Sequence, residues 1–137
     1  MKKIKRKKYT YEELSKIGQK YYNDTNFCTV IATSVAAQVS FGKARNWLEQ
    51  HGRKHRKGAY DHQYHEVMKK LGCTLEGVCL SGLPRTVGAL SRQLNTGTYL
   101  VQIRHHVLVI DEGQVMDWTG QSSRHRVKMV YKITRNF

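Results

Sequence analysis

Residues 23–32 have the sequence Asn-Asp-Thr-Asn-Phe-Cys-Thr-Val-Ile-Ala, and this stretch decides how the rest of the chain is interpreted. A polar, turn-prone run ends at Cys28, and apolar and small residues at helical spacing follow it. Cys28 is therefore predicted at the N-terminus of a mostly buried central helix. A helix N-terminus has unpaired N–H groups and roughly half a positive charge, so it lowers the pKa of a thiol and can bind an oxyanion. This placement suits a nucleophile.

Composition predicts one domain with a strongly basic surface. The chain has 137 residues, 39% of them hydrophobic, which is enough for one core. We expect a single domain over residues 10–137 and a flexible basic arm over residues 1–9. The net charge is +14, with six basic residues in positions 1–8 and four in positions 53–57.

This basic excess favours anionic partners, either nucleic acid or an acidic protein surface, although a surface that only solvates the protein would explain it equally well. The candidate anion-binding residues are Arg53, Lys54, Arg56 and Lys57.

Cysteine usage and hydropathy favour a cytoplasmic protein. The three cysteines, Cys28, Cys73 and Cys79, are too few for a disulfide scaffold, so a reducing compartment is expected. The basic N-terminus is not followed by an apolar segment, and no apolar run approaches the roughly 20 residues that cross a membrane. The histidines and cysteines lack the spacing of a zinc finger or ribbon. We therefore expect no membrane association, no metal and no other cofactor.

The first half of the chain is predicted to be helical. Thr10 and Glu13 have the pattern of a capping box, and Gly52 and Gly72 are helix stop signals. Between these signals, apolar residues recur at helical spacing. The predicted helices cover about residues 10–22, 28–39, 41–51 and 60–71.

Beyond Gly72 the periodicity changes to that of strands, interrupted by a short helix over residues 86–94 that begins at Thr86. Strands are predicted at residues 74–80, 98–104, 106–110, 114–118 and 126–133. The last of these alternates apolar and charged residues, which is typical of an outer strand. Helices followed by strands indicate an α+β fold, in which the central helix with Cys28 packs on a C-terminal antiparallel sheet.

A hairpin in the second half supplies a possible base and an orienting acid. Residues 106–118 form two apolar runs around Glu112-Gly113, which predicts a tight turn. With a two-residue turn, His106 and Asp117 lie on one face as diagonal neighbours, close enough for an imidazole–carboxylate hydrogen bond. A three-residue turn would place them on opposite faces.

Two alternatives remain open around this pair. His106 is expected on the inner face because Leu108 and Ile110 continue its face, but His105 could exchange roles with it. Asp111 could replace Asp117 as the orienting acid, although Asp is common in turns for local hydrogen bonding.

These features resemble the papain-like cysteine peptidase fold, and in style the bacterial peptidases that trim leader peptides and small phage-encoded proteins. The resemblance is based on residues 26–32 at the start of a central helix, on residues 106–110, and on Asp117 in the next strand. Similarity to uncharacterised phage proteins lies in residues 52–53 with 57–58, residues 97–100 and residues 124–127.

The resemblance implies that Cys28 is the thiolate nucleophile, that His106 is the base, and that Asp117 orients His106. It also implies an oxyanion hole formed by the backbone N–H of Cys28 and a side-chain amide. The family has a glutamine a few residues before the cysteine, whereas Gln19 is nine residues away. Asn23 or Asn26 would have to replace it, and Asn23 is preferred because Asn26 is nearly adjacent to the thiol.

Thr29 also stands where the family often has glycine. The expected function is therefore a small papain-like cysteine hydrolase, most simply a peptidase acting on a peptide or protein, and the resemblance to phage proteins implies a phage-encoded enzyme active in a host cytoplasm. The alternative is a papain-like fold with weak or lost catalysis, used as a basic module that binds a host protein or nucleic acid.

Overall fold

The computed structural model describes residues 6–23, 27–116 and 124–137. Within these ranges the chain forms five helices and a five-stranded sheet, which confirms the α+β class. The helices are α1 (Tyr11–Lys20), α2 (Cys28–Ala37), α3 (Phe41–Gln50), α4 (Asp61–Lys70) and α5 (Val87–Gln93). The strands are β1 (Cys73–Gly77), β2 (Thr98–Ile103), β3 (His106–Asp111), β4 (Gln114–Met116) and β5 (Met129–Arg135).

Local sequence signals explain where several helices begin. The side chains of Thr10, Ser40 and Thr86 each accept a hydrogen bond from the backbone N–H three residues further on. These bonds satisfy N–H groups that the first turn of a helix leaves without an intrahelical partner. The starts predicted at Thr10 and Thr86 are confirmed.

The sheet has the order β1-β5-β2-β3-β4, and every adjacent pair is antiparallel. The strand predicted to be outermost, β5, instead lies between β1 and β2. Its Val130 is fully buried and its Ile133 is 5% exposed. The exposed Lys132 between them, which lies opposite Glu76 of β1, gave the strand the alternating pattern of an outer strand.

Helices cover both faces of the sheet. On one face, α2 packs against Leu100, Val107 and Val109, together with α1, α3 and α4. On the other face, α5 packs against Leu108 and Ile110 in a second, smaller core. In α2, every residue from Thr29 to Ala37 is buried, which confirms the prediction of a central helix.

A guanidinium group fixes the direction of α2 against the sheet. Arg135 donates hydrogen bonds to the carbonyl oxygens of Val35 (3.0 Å) and Ala36 (2.8 Å) and to the hydroxyl of Thr98 (3.0 Å). The C-terminal end of α2 therefore lies beside the first residue of β2. Since β2 and β3 are antiparallel, with Thr98 opposite Asp111, the N-terminal end of α2 lies toward the β2–β3 turn.

The first described residues are attached to the domain. Arg6 donates to the carbonyl oxygens of Ala37 and Leu71, and its guanidinium lies 3.7 Å from the centre of the Phe137 ring. Lys8 lies 3.6 Å from a carboxylate oxygen of Asp111. Helix-end carbonyls and a buried carboxylate thus contact two cations of the segment predicted to be a flexible arm, residues 1–9, and its flexibility stays a prediction. Residues 1–5 lie outside the described ranges.

No helix in the described part of the chain combines the length and the apolar character that a membrane span requires.

Candidate active site

Cys28 is the first residue of α2, as predicted, and it is partly exposed. The residue before it, Phe27, is the N-cap, and its side chain has no atom that can accept a hydrogen bond. The side chain of Phe27 therefore accepts no hydrogen bond from the N–H groups of the first turn, and these groups lie at the same end of the helix as the thiol.

A cavity of about 380 Å³ opens beside this end of α2. Its walls come from five parts of the fold: the start of α2, the loop before α4, the first turns of α4, both sides of the β2–β3 turn, and the residue preceding β5. The lining residues are Cys28, Thr29, Gly58, Ala59, Asp61, Tyr64, Gln102, Ile103, His105, His106, Val107 and Lys128.

The structure brings Cys28 and His106 to the same cavity. His106 is the first residue of β3, opposite Ile103, and its side chain is partly exposed. The reason given for its inner position is wrong, however, because Leu108 and Ile110 pack toward α5 rather than toward α2. Since both faces of this sheet are covered, an apolar face does not identify the side on which the thiol lies. His106 lines the cavity from the end of the strand, next to the turn.

His105 also lines the cavity. It lies in the two-residue turn between β2 and β3, has a positive φ of 57°, and is exposed. Both histidines therefore line the cavity, and the exchange of roles between them stays a prediction.

The hairpin that should carry the orienting acid has the predicted turn. Asp111 pairs with Gln114 across Glu112-Gly113, and both turn residues have positive φ, 51° and 78°. This confirms the two-residue turn. Asp117 itself lies outside the described residues, so its predicted contact with His106 stays a prediction.

Asp111, the alternative orienting acid, lies at the wrong end of β3. It is five residues from His106, a separation of about 16 Å along a strand. It is 3% exposed and accepts a hydrogen bond of 2.8 Å from the Thr98 hydroxyl. Asp111 therefore belongs to the contacts that join α2 to the sheet, and it has no role beside His106.

The structure describes only one of the two proposed amide donors. Asn23 is exposed, is not among the residues that line the cavity, and accepts two hydrogen bonds from Arg56, at its carbonyl oxygen (3.1 Å) and at Oδ1 (3.0 Å). These bonds hold the loop before Cys28 against the basic loop. Asn26 lies outside the described residues.

A different amide lies in the cavity wall and escaped the sequence analysis. Gln102 of β2 donates through Nε2 to the hydroxyl of Tyr64, and that hydroxyl donates to a carboxylate oxygen of Asp61 at 2.9 Å. Tyr64 is 2% exposed, and burial raises its pKa well above its usual range. One signal was present in the sequence, because Gln102 is a polar residue on the same face of β2 as the buried Leu100. The sequence did not indicate its partner Tyr64 or the next group, Asp61, because both lie on α4, 38 and 41 residues away in the chain.

The basic loop only partly suits the predicted anion-binding role. Arg53 is 3% exposed, unlike its basic neighbours, and its anion-binding role stays a prediction. Arg56 is exposed but binds Asn23. Lys54 and Lys57 are exposed.

The three cysteines are unpaired and differ in environment. Cys73 is buried, its Sγ lies 3.6 Å from the carbonyl oxygen of Ala36, and burial raises its pKa to about 11. Cys79 is exposed. Among the described residues, no group of three or more His, Cys, Asp or Glu side chains is arranged to hold a metal ion.

A scan against protein-family models, a search of curated protein sequences and a search of solved structures each gave no significant match.

Proposed function

We propose that this protein is a cysteine hydrolase of the papain-like type, most simply a small peptidase that forms a thioester at Cys28. The observation that carries the proposal is the cavity that Cys28, at the start of α2, and His106, at the start of β3, both line. The order of elements, with the cysteine on a helix before an antiparallel sheet and the histidine on that sheet, also supports it.

In the proposed reaction, the Cys28 thiolate attacks the carbonyl carbon of a peptide bond, a C–S bond forms, and the carbonyl oxygen becomes an oxyanion. When the C–N bond breaks, the protonated imidazole of His106 gives its proton to the leaving amine. Water then attacks the thioester, His106 accepts the proton of that water, and the acid leaves as Cys28 returns to the thiolate. Asp117 keeps its predicted role of orienting His106. The three free thiols favour a reducing compartment such as the cytoplasm.

The experiment compares the alkylation rates of the three thiols by iodoacetamide at neutral pH, followed by peptide mass spectrometry. An ordinary exposed thiol is only about 3% ionised at neutral pH, so an imidazolium-paired thiolate should react about threefold faster, because its larger ionised fraction outweighs its lower intrinsic nucleophilicity. Cys28 should therefore react faster than the exposed Cys79, and the buried Cys73 should be slowest.

A matched pair of histidine variants tests the partner. His106→Ala should reduce the rate at Cys28 to about that of Cys79, whereas His105→Ala should leave it nearly unchanged. If Cys28 reacts no faster than Cys79 in the unmodified protein, the thiol is not activated and the proposal is wrong. If only His105→Ala slows the reaction, the base is His105.

The alternative of a basic binding module retains one supporting observation. Tyr60 is 73% exposed and lies three residues beyond the exposed Lys57, which supplies an aromatic surface next to the basic loop. Such a surface would bind single-stranded nucleic acid by stacking and charge. Its affinity for an oligonucleotide should then fall when salt is raised from about 50 to 200 mM, and an affinity insensitive to salt would exclude this mode.

A further inference from the structure

We propose that Gln102 provides the side-chain N–H of the oxyanion site facing Cys28, and that Tyr64 and Asp61 hold its amide in position. This inference rests on the proposed function, because an oxyanion site has a purpose only if Cys28 acylates. It differs from the pattern that the resemblance implies, in which the amide comes from the loop before the cysteine.

The first step is the position of Gln102 relative to Cys28. Arg135 joins Ala36, near the end of α2, to Thr98, at the start of β2. Cys28 lies eight residues before Ala36, about 12 Å along a helix. Gln102 lies four residues after Thr98, about 13 Å along a strand in the same direction. The two residues are therefore level with each other.

The second step is the face of the sheet. Alternation places Gln102 on the same side of β2 as Leu100, which belongs to the core that contains α2. Its partner across the β2–β3 pair is Val107, which belongs to the same core. Gln102 thus lies on the α2 side, and it lines the cavity together with Cys28.

The third step is the orientation of the amide. A phenol has one hydrogen, and Tyr64 donates it to the carboxylate of Asp61 at 2.9 Å. The phenol oxygen can then only accept, so Gln102 must present its NH₂ group rather than its carbonyl oxygen. Burial keeps Tyr64 protonated, because it raises the pKa of the phenol. One amide hydrogen of Gln102 bonds to Tyr64, and the second can be given to an oxyanion.

The test uses two electrophiles that differ in whether their reaction creates an oxyanion. Acetyl transfer from p-nitrophenyl acetate forms a C–S bond, passes through a tetrahedral carbon with a negative oxygen, and releases p-nitrophenolate. Alkylation by iodoacetamide forms a C–S bond at a saturated carbon and releases iodide without an oxyanion. Both rates are measured at Cys28 by mass spectrometry of the intact protein in a Cys79→Ser background.

Gln102→Met keeps the length of the side chain and removes both N–H groups. It should slow acetylation of Cys28 about 100-fold, the usual effect of removing one oxyanion donor, and leave alkylation unchanged. Tyr64→Phe removes only the hydroxyl that positions the amide and should slow acetylation to an intermediate degree. The matched control is Gln114→Met, an exposed strand glutamine on β4, which should change neither rate.

Unfolding by urea shows whether each variant is folded, and Gln102→Glu replaces Gln102→Met if the methionine variant is not. The inference is overturned if the folded Gln102 variant acetylates normally, or if both reactions slow by the same factor, since that is the signature of a structural defect. A different measurement would show that the proposed hydrolase function itself is wrong. In that case Cys28 would be alkylated no faster than Cys79 in the protein that retains all three cysteines.

Discussion

Arg135→Met removes the guanidinium that joins the C-terminal end of α2 to the sheet, and we expect it to lower the free energy of unfolding by about 3 kcal/mol. The side chain donates to Val35, Ala36 and Thr98 at 2.8–3.0 Å and lies 3.9 Å from a carboxylate oxygen of Asp111. Its loss leaves two carbonyl groups without these donors at the buried helix end and weakens the pairing of a carboxylate that is 3% exposed.

The magnitude follows from the kind of groups involved. Loss of a hydrogen bond to a charged group costs about 1.5–3 kcal/mol, and these values are not additive. Breaking a fully buried ion pair costs about 3–5 kcal/mol, which is an upper bound here because the Arg135 side chain is 22% exposed. Lys8 still lies 3.6 Å from Asp111, which favours the lower end of the range. Unfolding entropy is about 2.1 cal/mol/K per residue, so a loss of about 3 kcal/mol corresponds to a fall in Tm of about 10 °C for a chain of this length.

The assay is urea unfolding followed by circular dichroism, with unchanged m-values as the check on two-state behaviour. Arg92→Met is the matched control, because Arg92 is exposed on α5, and it should cost less than about 0.5 kcal/mol. Adding Asp111→Asn to Arg135→Met should restore part of the loss, since the buried charge is then removed. A loss below about 1 kcal/mol for Arg135→Met, or no recovery in the double variant, would refute this account of how α2 is held.

Two further predictions concern stability. Gln38→Gly should stabilise the protein by about 0.5–1 kcal/mol in urea unfolding, because Gln38 ends α2 in the left-handed region (φ 55°), where glycine is less strained. Gln93→Gly is the control, because Gln93 is the last residue of α5 and its φ is not positive, so this change should destabilise the protein. A loss of stability in Gln38→Gly would contradict the reasoning. Burial lowers the pKa of His65 below its usual value of 6.5, so the unfolded chain binds a proton at this ring more readily than the folded protein does. The contribution of the neutral ring to the free energy of unfolding is therefore complete above pH 6.5 and is lost as the pH falls below it. His65→Phe should therefore flatten the decline in unfolding free energy below that pH, and an unchanged pH profile would show that other groups cause the decline.

Interactions between residues close together in the chain determined where several helices begin, where the hairpin turns, and that helices come before strands. Thr10 and Thr86 begin helices, and Glu112-Gly113 makes a two-residue turn, because the groups involved lie within three residues of each other. The small and apolar residues after Cys28 likewise predicted a buried helix, and the change of periodicity after Gly72 predicted the sheet. These interactions depend on spacing along the chain, and the sequence contains that spacing directly.

Only the tertiary structure decided which residues from distant parts of the chain meet. The insertion of β5 between β1 and β2 brings Arg135 to the end of α2, 99 residues earlier in the chain. Helices cover both faces of the sheet, so Leu108 packs on the α5 side, and α4 supplies the Tyr64 hydroxyl that accepts a hydrogen bond from Gln102. Periodicity shows that a face is apolar, but it does not show which helix covers that face. The candidate nucleophile could therefore be found from the sequence, whereas the amide proposed to assist it became visible only when strand order had fixed its neighbours.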